Sequence, residues 1–302
     1  MHATALRFSN NTKTKINFVQ NGSVLKAGVV IKSTGSHYRV LCEDNSVYEC
    51  VIRGSFRVKG IRTTNPVAVG DNVHIDPAKM LITSLNPRKN YMIRRASNLS
   101  KESQIIAANI DQVILMISMT MPETPVEFID RFLATAEAYR IPAILLVNKS
   151  DLIRDELVEN TDKLMKAYEK IGYRTLLVSV KEGDGLDRLN ALLENKTTLV
   201  AGNSGVGKSS LLNYLNPLLK LKTDDVSAYH EQGKHVTTFP EMHIMPTGAR
   251  VIDSPGIRGF GVIDFDRKEI YHFFPEIFRR SSQCRFHNCL HMSEPGCAVR
   301  EA

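Results

Sequence analysis

The chain has 302 residues, a mass of 33.8 kDa and a formal net charge of +7, with 43% apolar and 24% charged residues. That composition excludes a disordered or fibrous chain, and apolar runs such as Val113–Met119 and Ile141–Val147 are too short to span a bilayer. The charge is uneven: residues 1–90 hold 13 Lys and Arg against 5 Asp and Glu, and the rest of the chain holds 26 against 27.

A basic excess confined to the first third points to a polyanionic partner there, nucleic acid before membrane. Residues 1–22 contain no apolar segment of the kind a secretory signal needs, so a cytoplasmic location is expected. They read as an extension, expected to be disordered. From there to residue 87, short β-rich runs alternate with turns: Val24–Ser33, Tyr38–Cys42, Val47–Arg53, Asn72–Ile75 and Met80–Leu85. Five strands in a basic segment predict a small barrel of the OB type, a common nucleic-acid platform. Arg53, Arg57, Lys59 and Arg62 are the candidate RNA contacts.

Residues 88–263 change period. Strand-like runs at Gln112–Ser118, Ile141–Val147, Thr175–Val180, Thr197–Ala201 and Arg250–Ile252 alternate with helix-like Val126–Tyr139, Glu156–Ile171, Leu186–Glu194 and Lys208–Leu215. Such alternation predicts an α/β domain with a mostly parallel sheet. Its loops carry the chemistry. Asn148-Lys149-Ser150-Asp151 ends a strand, and in an N-K-x-D loop the Asp carboxylate accepts from guanine N1–H and the 2-amino group. A solvated helix start capped by Ser150 or Asp151 is the structural alternative. Ser179, Val180 and Lys181 fit the companion loop, whose backbone N–H groups reach guanine O6.

Gly202-Asn203-Ser204-Gly205-Val206-Gly207-Lys208-Ser209, followed by Ser210, matches G-x-x-x-x-G-K-[ST] between a strand and a helix. Its glycines let backbone N–H groups turn toward a β-phosphate, Lys208 serves the β- and γ-phosphates, and Ser209 completes a Mg²⁺ shell. Further on, Gly233-Lys234-His235-Val236-Thr237-Thr238 offers a Thr to close over Mg²⁺, with Thr238 preferred to Thr237. Asp253-Ser254-Pro255-Gly256 is a D-x-x-G segment whose Asp253 serves Mg²⁺ and whose Gly256 N–H faces the γ-phosphate. The position after Gly256 is Ile257, which cannot orient a water, so His235 is the candidate catalytic group. These are the parts of a GTPase with the base-reading loops placed before the phosphate loop, as circular permutation would place them.

Residues 264–302 contain Cys284-x4-Cys289-x-His291-x5-Cys297, a Cys₃His set suited to structural Zn²⁺, with His287 as the competing imidazole. The order NKSD, GNSGVGKSS, DSPG, with KHVTT and this cysteine segment, resembles the RsgA (YjeQ) family of GTPases over nearly the whole chain. The resemblance implies a monomer with an OB-fold, a permuted GTPase domain and a small α-helical zinc domain. It also implies engagement of the small ribosomal subunit (30S) and its rRNA, and slow GTP hydrolysis that the subunit accelerates during late maturation. A nucleotide-switched assembly factor with little turnover, or a permuted GTPase of the large subunit, are the alternatives. Two departures stand out. Val236 replaces a Thr of the family's usual switch, and the chain ends five residues past Cys297, where members usually continue, which suggests truncation.

Overall fold

Alternating burial builds the first part of the fold. The computed structural model describes residues 18–20, 23–52, 66–95, 103–223, 239–253, 266 and 268–302. Strands β1 (Phe18–Gln20), β2 (Ser23–Ser33), β3 (Tyr38–Cys42), β4 (Val47–Ile52), β5 (Asn72–Asp76) and β6 (Leu81–Leu85) come first. β2, β3 and β4 pair antiparallel in sequence, and β4 pairs parallel with β6. β6 pairs antiparallel with β5, which returns to β2 and closes a five-strand barrel. Along β3, Tyr38, Val40 and Cys42 point inward and pack with Val30, Cys50, Val73, Ile75 and Ile82. Closure removes the open edge that a five-strand sheet would otherwise expose.

Part of the segment read as an N-terminal extension is paired with the barrel's first long strand. β1 pairs antiparallel with β2, Phe18 opposite Leu25 and Gln20 opposite Ser23. Three residues are too few to show a period, so only the intervening Asn21-Gly22, a typical hairpin-turn pair, could have signalled it.

One buried ion pair ties the barrel to the chain that leaves it. Arg88 donates from Nε to Asp71 Oδ1 at 2.7 Å and from Nη2 to Oδ2 at 2.6 Å, and Nη2 also reaches the Pro66 carbonyl at 2.9 Å. The Asp71 side chain is fully buried and that of Arg88 is 7% exposed. A hairpin not foreseen from sequence follows, β7 (Tyr91–Arg95) antiparallel to β8 (Ser103–Ala108), as a separate two-stranded sheet.

The next elements are β9 (Gln112–Ser118), α1 (Val126–Ala138), β10 (Ala143–Asn148), α2 (Glu156–Ile171), β11 (Arg174–Leu177), α3 (Leu186–Leu193), β12 (Thr197–Gly202) and α4 (Lys208–Leu215). Every residue of β9 is buried, which is why its sequence is a continuous apolar run rather than an alternating one. β11, β10, β9 and β12 pair parallel in that order. Their carboxyl ends therefore lie along one edge, where open α/β sheets bind ligands. α1 buries Ile129, Phe132, Leu133 and Ala136.

β13 (Glu241–Ile244) and β14 (Arg250–Asp253) form an antiparallel hairpin, and Glu241 on β13 pairs with Lys32 on β2. Last comes α5 (Pro275–Ser281), preceded by a 3₁₀ turn at Ile270–Phe273. Two compact units result. One comprises the described residues up to 110 with 239–244 and 250–253, and the other comprises 111–223, 245–249 and 266–302.

Candidate nucleotide-binding site and metal cluster

The phosphate loop is shaped by what cannot fit beside it. Gly202 ends β12 at φ +151°, and a Cβ there would stand 2.4 Å from the Met116 carbonyl oxygen. Gly207 precedes α4 at φ +102°, and a Cβ there would stand 2.5 Å from Asn148 Nδ2. Both positions accept only glycine, so the loop between them can turn its N–H groups inward. Val206 is fully buried beneath the loop, while Ser204 and Gly205 are exposed. Asn203 is half-buried, as are Lys208, Ser209 and Ser210 in the first turn of α4. The Lys208 ammonium donates to the carbonyls of Gly202 and Asn203, each at 2.7 Å, which arches its stem over the loop.

Asn148 joins three loops. It is buried at the end of β10, donates from Nδ2 to the Val206 carbonyl at 2.8 Å and accepts from the Val180 N–H at 3.1 Å. One side chain thus fixes the phosphate loop against the companion loop 179–181. Lys149 follows in a left-handed conformation, φ +66°, and its ammonium donates to the Met121 carbonyl at 2.5 Å. Burial lowers the pKa of Lys149, and the Asp151 carboxylate opposes that shift. Ser150 opens a 3₁₀ turn and donates its N–H to the Val178 carbonyl. Ser179, fully buried, donates its hydroxyl to Asp151 Oδ1 at 2.6 Å and accepts from the Glu182 N–H. Lys181 is exposed and pairs with Glu182 at 3.2 Å.

The geometry therefore brings Asn148, Lys149, Ser150 and Asp151 together with Ser179, Val180 and the loop Gly202–Ser209. Sequence reasoning missed how directly Ser179 orients Asp151; a small hydroxyl residue just after a buried strand was the only signal. Asp253 closes β14 and is buried, opposite Glu241 in the strand register. His235, Thr238 and Gly256 lie outside the described residues, as do Arg53, Arg57, Lys59 and Arg62.

The cysteine segment forms a compact cluster. The donor atoms of Cys284, Cys289, His291 and Cys297 all lie within 4.8 Å of one another, and all three cysteines are free thiols. His291 Nδ1 stands 3.6 Å from Cys284 Sγ and 3.4 Å from Cys297 Sγ. Donors around a tetrahedral Zn²⁺ stand roughly 3.5–3.8 Å apart, so these four could hold a metal ion with small adjustment. Burial disfavours the Cys297 thiolate, but hydrogen bonds from His291, the Arg300 N–H and Cys289 outweigh it and bring the thiol down to about 7. Burial pushes the Cys289 thiol up to about 11. His287, the competing imidazole, is exposed and is not part of the cluster.

Glu294, which the sequence did not single out, braces the ligand loop. Its carboxylate accepts from the N–H groups of Leu290, Met292 and Ser293, and these bonds, that from Leu290 foremost, bring its pKa down to about 2. Arg279 on α5 donates to the Ile171 carbonyl at the end of α2, an arrangement that also suits the helix dipole.

A strand-loop-helix phosphate loop preceded in the chain by its base-reading loops, with a basic barrel before and a Cys₃His cluster after, defines a circularly permuted P-loop GTPase. Comparison with known proteins agrees. Residues 85–263 match the family model RsgA GTPase and residues 27–80 match RsgA N-terminal domain. A protein of Bacteroides fragilis named small ribosomal subunit biogenesis GTPase RsgA is 50% identical over 278 residues, covering 91% of this chain and 90% of its own. The protein of that name from Porphyromonas gingivalis is 52% identical over 283 residues, with the same coverage. The crystal structure of YjeQ from Thermotoga maritima superposes with a TM-score of 0.73 at 32% identity, covering 92% of this chain and 90% of that one. That of YloQ, described as a circularly permuted GTPase, gives 0.68 at 31%, covering 92% and 87%. The chain belongs to the RsgA GTPase family.

Proposed function

We propose that this chain hydrolyses GTP while docked on the small ribosomal subunit and so assists the subunit's late maturation. The observation that carries the reading is Asn148. It locks a guanine-type loop, its companion and a phosphate loop into one site, in a chain half identical to proteins named for small-subunit biogenesis. Asp151 reads the guanine edge, with Asn148, Lys149, Ser150, Ser179, Val180 and Lys181 completing the base pocket. Residues 202–210 cradle the phosphates. By motif, Ser209, Thr238 and Asp253 serve Mg²⁺, which when bound with GTP neutralises charge between the β- and γ-phosphates. Gly256 faces the γ-phosphate, and His235 orients the attacking water.

The Cys₃His cluster holds one structural Zn²⁺, because four protein donors leave no open position for chemistry. Boundaries near residues 22, 87 and 263 separate an extension, an RNA-binding barrel, the GTPase domain and the zinc segment. Arg53, Arg57, Lys59 and Arg62 contact rRNA. The protein works as a monomer in the cytoplasm; among the described residues no helix is long and apolar enough to cross a membrane.

Cosedimentation with purified subunits tests the reading. In the presence of a non-hydrolysable GTP analogue the chain should pellet with small subunits and not with large ones; equal pelleting with both would contradict it. His235→Ala should keep GTP affinity and subunit binding while losing most subunit-stimulated turnover. Full stimulated turnover in that variant would move the water-orienting role elsewhere.

A further inference from the structure

Lys32, Glu241 and Asp253 form one row across three adjacent strands. Lys32 lies on barrel strand β2, Glu241 opposite it on β13, and Asp253 opposite Glu241 on β14. Residues directly opposite in antiparallel strands present their side chains on the same face. The ends of the row are not equivalent. Lys32 belongs to the basic barrel, whereas Asp253 is the aspartate of the D-x-x-G segment. Glu241 also stands three residues after Thr238 in the sequence. One side chain therefore touches the barrel, faces the D-x-x-G aspartate and anchors the strand that follows the KHVTT segment.

Among the described residues, the ion pairs of Glu241 run toward the barrel. The Lys32 ammonium donates to Oε2 at 2.8 Å, and Arg39 Nη1 on β3 approaches Oε1 at 3.6 Å. Arg39 is shared with Glu49 on β4 at 4.0 Å. The two cations neutralise a carboxylate that would otherwise face the Asp253 carboxylate across the strand pair, an unfavourable like-charge arrangement. The site chemistry does not require this arrangement, since a neutral residue at 241 would remove the repulsion without any cation.

We propose that Glu241 is a positioning residue for hydrolysis, through which the placement of barrel residues Lys32 and Arg39 sets the placement of the Asp253 side chain and of the end of β13 that follows the KHVTT segment. The barrel's docking on RNA then reaches the hydrolytic elements by an ionic tie. This rests on the reading above that the barrel docks on the small subunit and that docking accelerates turnover. Backbone pairing holds the strands whether or not the carboxylate is charged, so the fold survives its loss. Partly exposed ion pairs shift equilibria by up to a few-fold each, which sets the size of the effect.

The test is single-site kinetics on the full chain with purified small subunits. Glu241→Gln should keep its melting temperature and its GTP affinity, while turnover stimulated by saturating subunits falls about three- to fivefold. Glu241→Asp keeps the charge and should retain most of the stimulation, which a role resting on side-chain shape alone, kept by Gln, would not produce. Undiminished stimulation in Glu241→Gln, or a loss in Glu241→Asp as large as that in Glu241→Gln, would overturn the proposal alone. Absence of stimulation in the unaltered chain would overturn the functional reading, and the proposal with it.

Discussion

Gly207 and Asp151 carry the two most exacting demands at the scale of single residues. At Gly207 a methyl group would meet Asn148 Nδ2 at 2.5 Å in a backbone conformation, φ +102°, that side chains rarely adopt. Gly207→Ala should therefore displace Asn148, disturbing the phosphate loop and the companion loop together, and abolish measurable GTP binding by calorimetry. Normal binding would mean that the loop can open without cost. At Asp151 the carboxylate is already aimed by the Ser179 hydroxyl at 2.6 Å. A hydrogen bond to a charged group contributes about 1.5–3 kcal/mol, so Asp151→Asn should weaken GTP by roughly tenfold to 150-fold. The same variant should gain xanthosine triphosphate, because the amide donates to the oxygen that replaces the 2-amino group. Unchanged nucleotide preference would contradict the base-pocket assignment. These residues were legible in the sequence because their chemistry admits few alternatives. The bond from Ser179 to Asp151 and the role of Glu294 were not, since a serine or glutamate in a loop usually faces water, and only the fold shows what they hold.

Elements differ in what stabilises them. The barrel depends on a buried charge pair, Asp71 with Arg88, and removing one partner of such a pair costs about 3–5 kcal/mol because the other charge stays buried. Arg88→Met should lower unfolding stability in urea by that amount, and adding Asp71→Asn should recover most of it; a loss below about 1 kcal/mol would show that the barrel tolerates the stranded carboxylate.

The segment 266–302 has almost no core of its own: among its described residues only Cys289 and Cys297 are buried. Its order should then come from the metal. Cys297→Ser or exhaustive chelation should make it protease-sensitive and leave GTP binding intact, with metal content falling from one per chain to none. Glu294→Ala, by freeing the Leu290–Ser293 turn, should speed zinc loss to a chelator several-fold; unchanged release would make the carboxylate incidental.

β9, a continuous apolar run, and α2, with its helical period, were readable as such. β1, the β7–β8 hairpin and β13 were not. They are short, and β13 in particular is held by pairing with β2, more than 200 residues earlier, a partner that no local pattern in Glu241–Ile244 discloses.

On the scale of the whole molecule, the charge distribution and the order of motifs carry the argument. Thirteen cationic residues against five acidic ones in residues 1–90 should make subunit docking depend on salt, log affinity falling with log salt concentration. Charge reversal at Arg53, Arg57, Lys59 or Arg62 should flatten that slope, and a salt-independent affinity would remove the barrel from the interface. Permutation places the D-x-x-G segment immediately before the segment that leads to the Cys₃His cluster, while Glu241 ties the β13–β14 hairpin to the barrel. The most direct measurement is multiple-turnover GTP hydrolysis with purified small or large subunits supplied separately. Small subunits should raise turnover at least tenfold over the chain alone and large subunits should not; no acceleration by small subunits, or equal acceleration by both, would contradict the account.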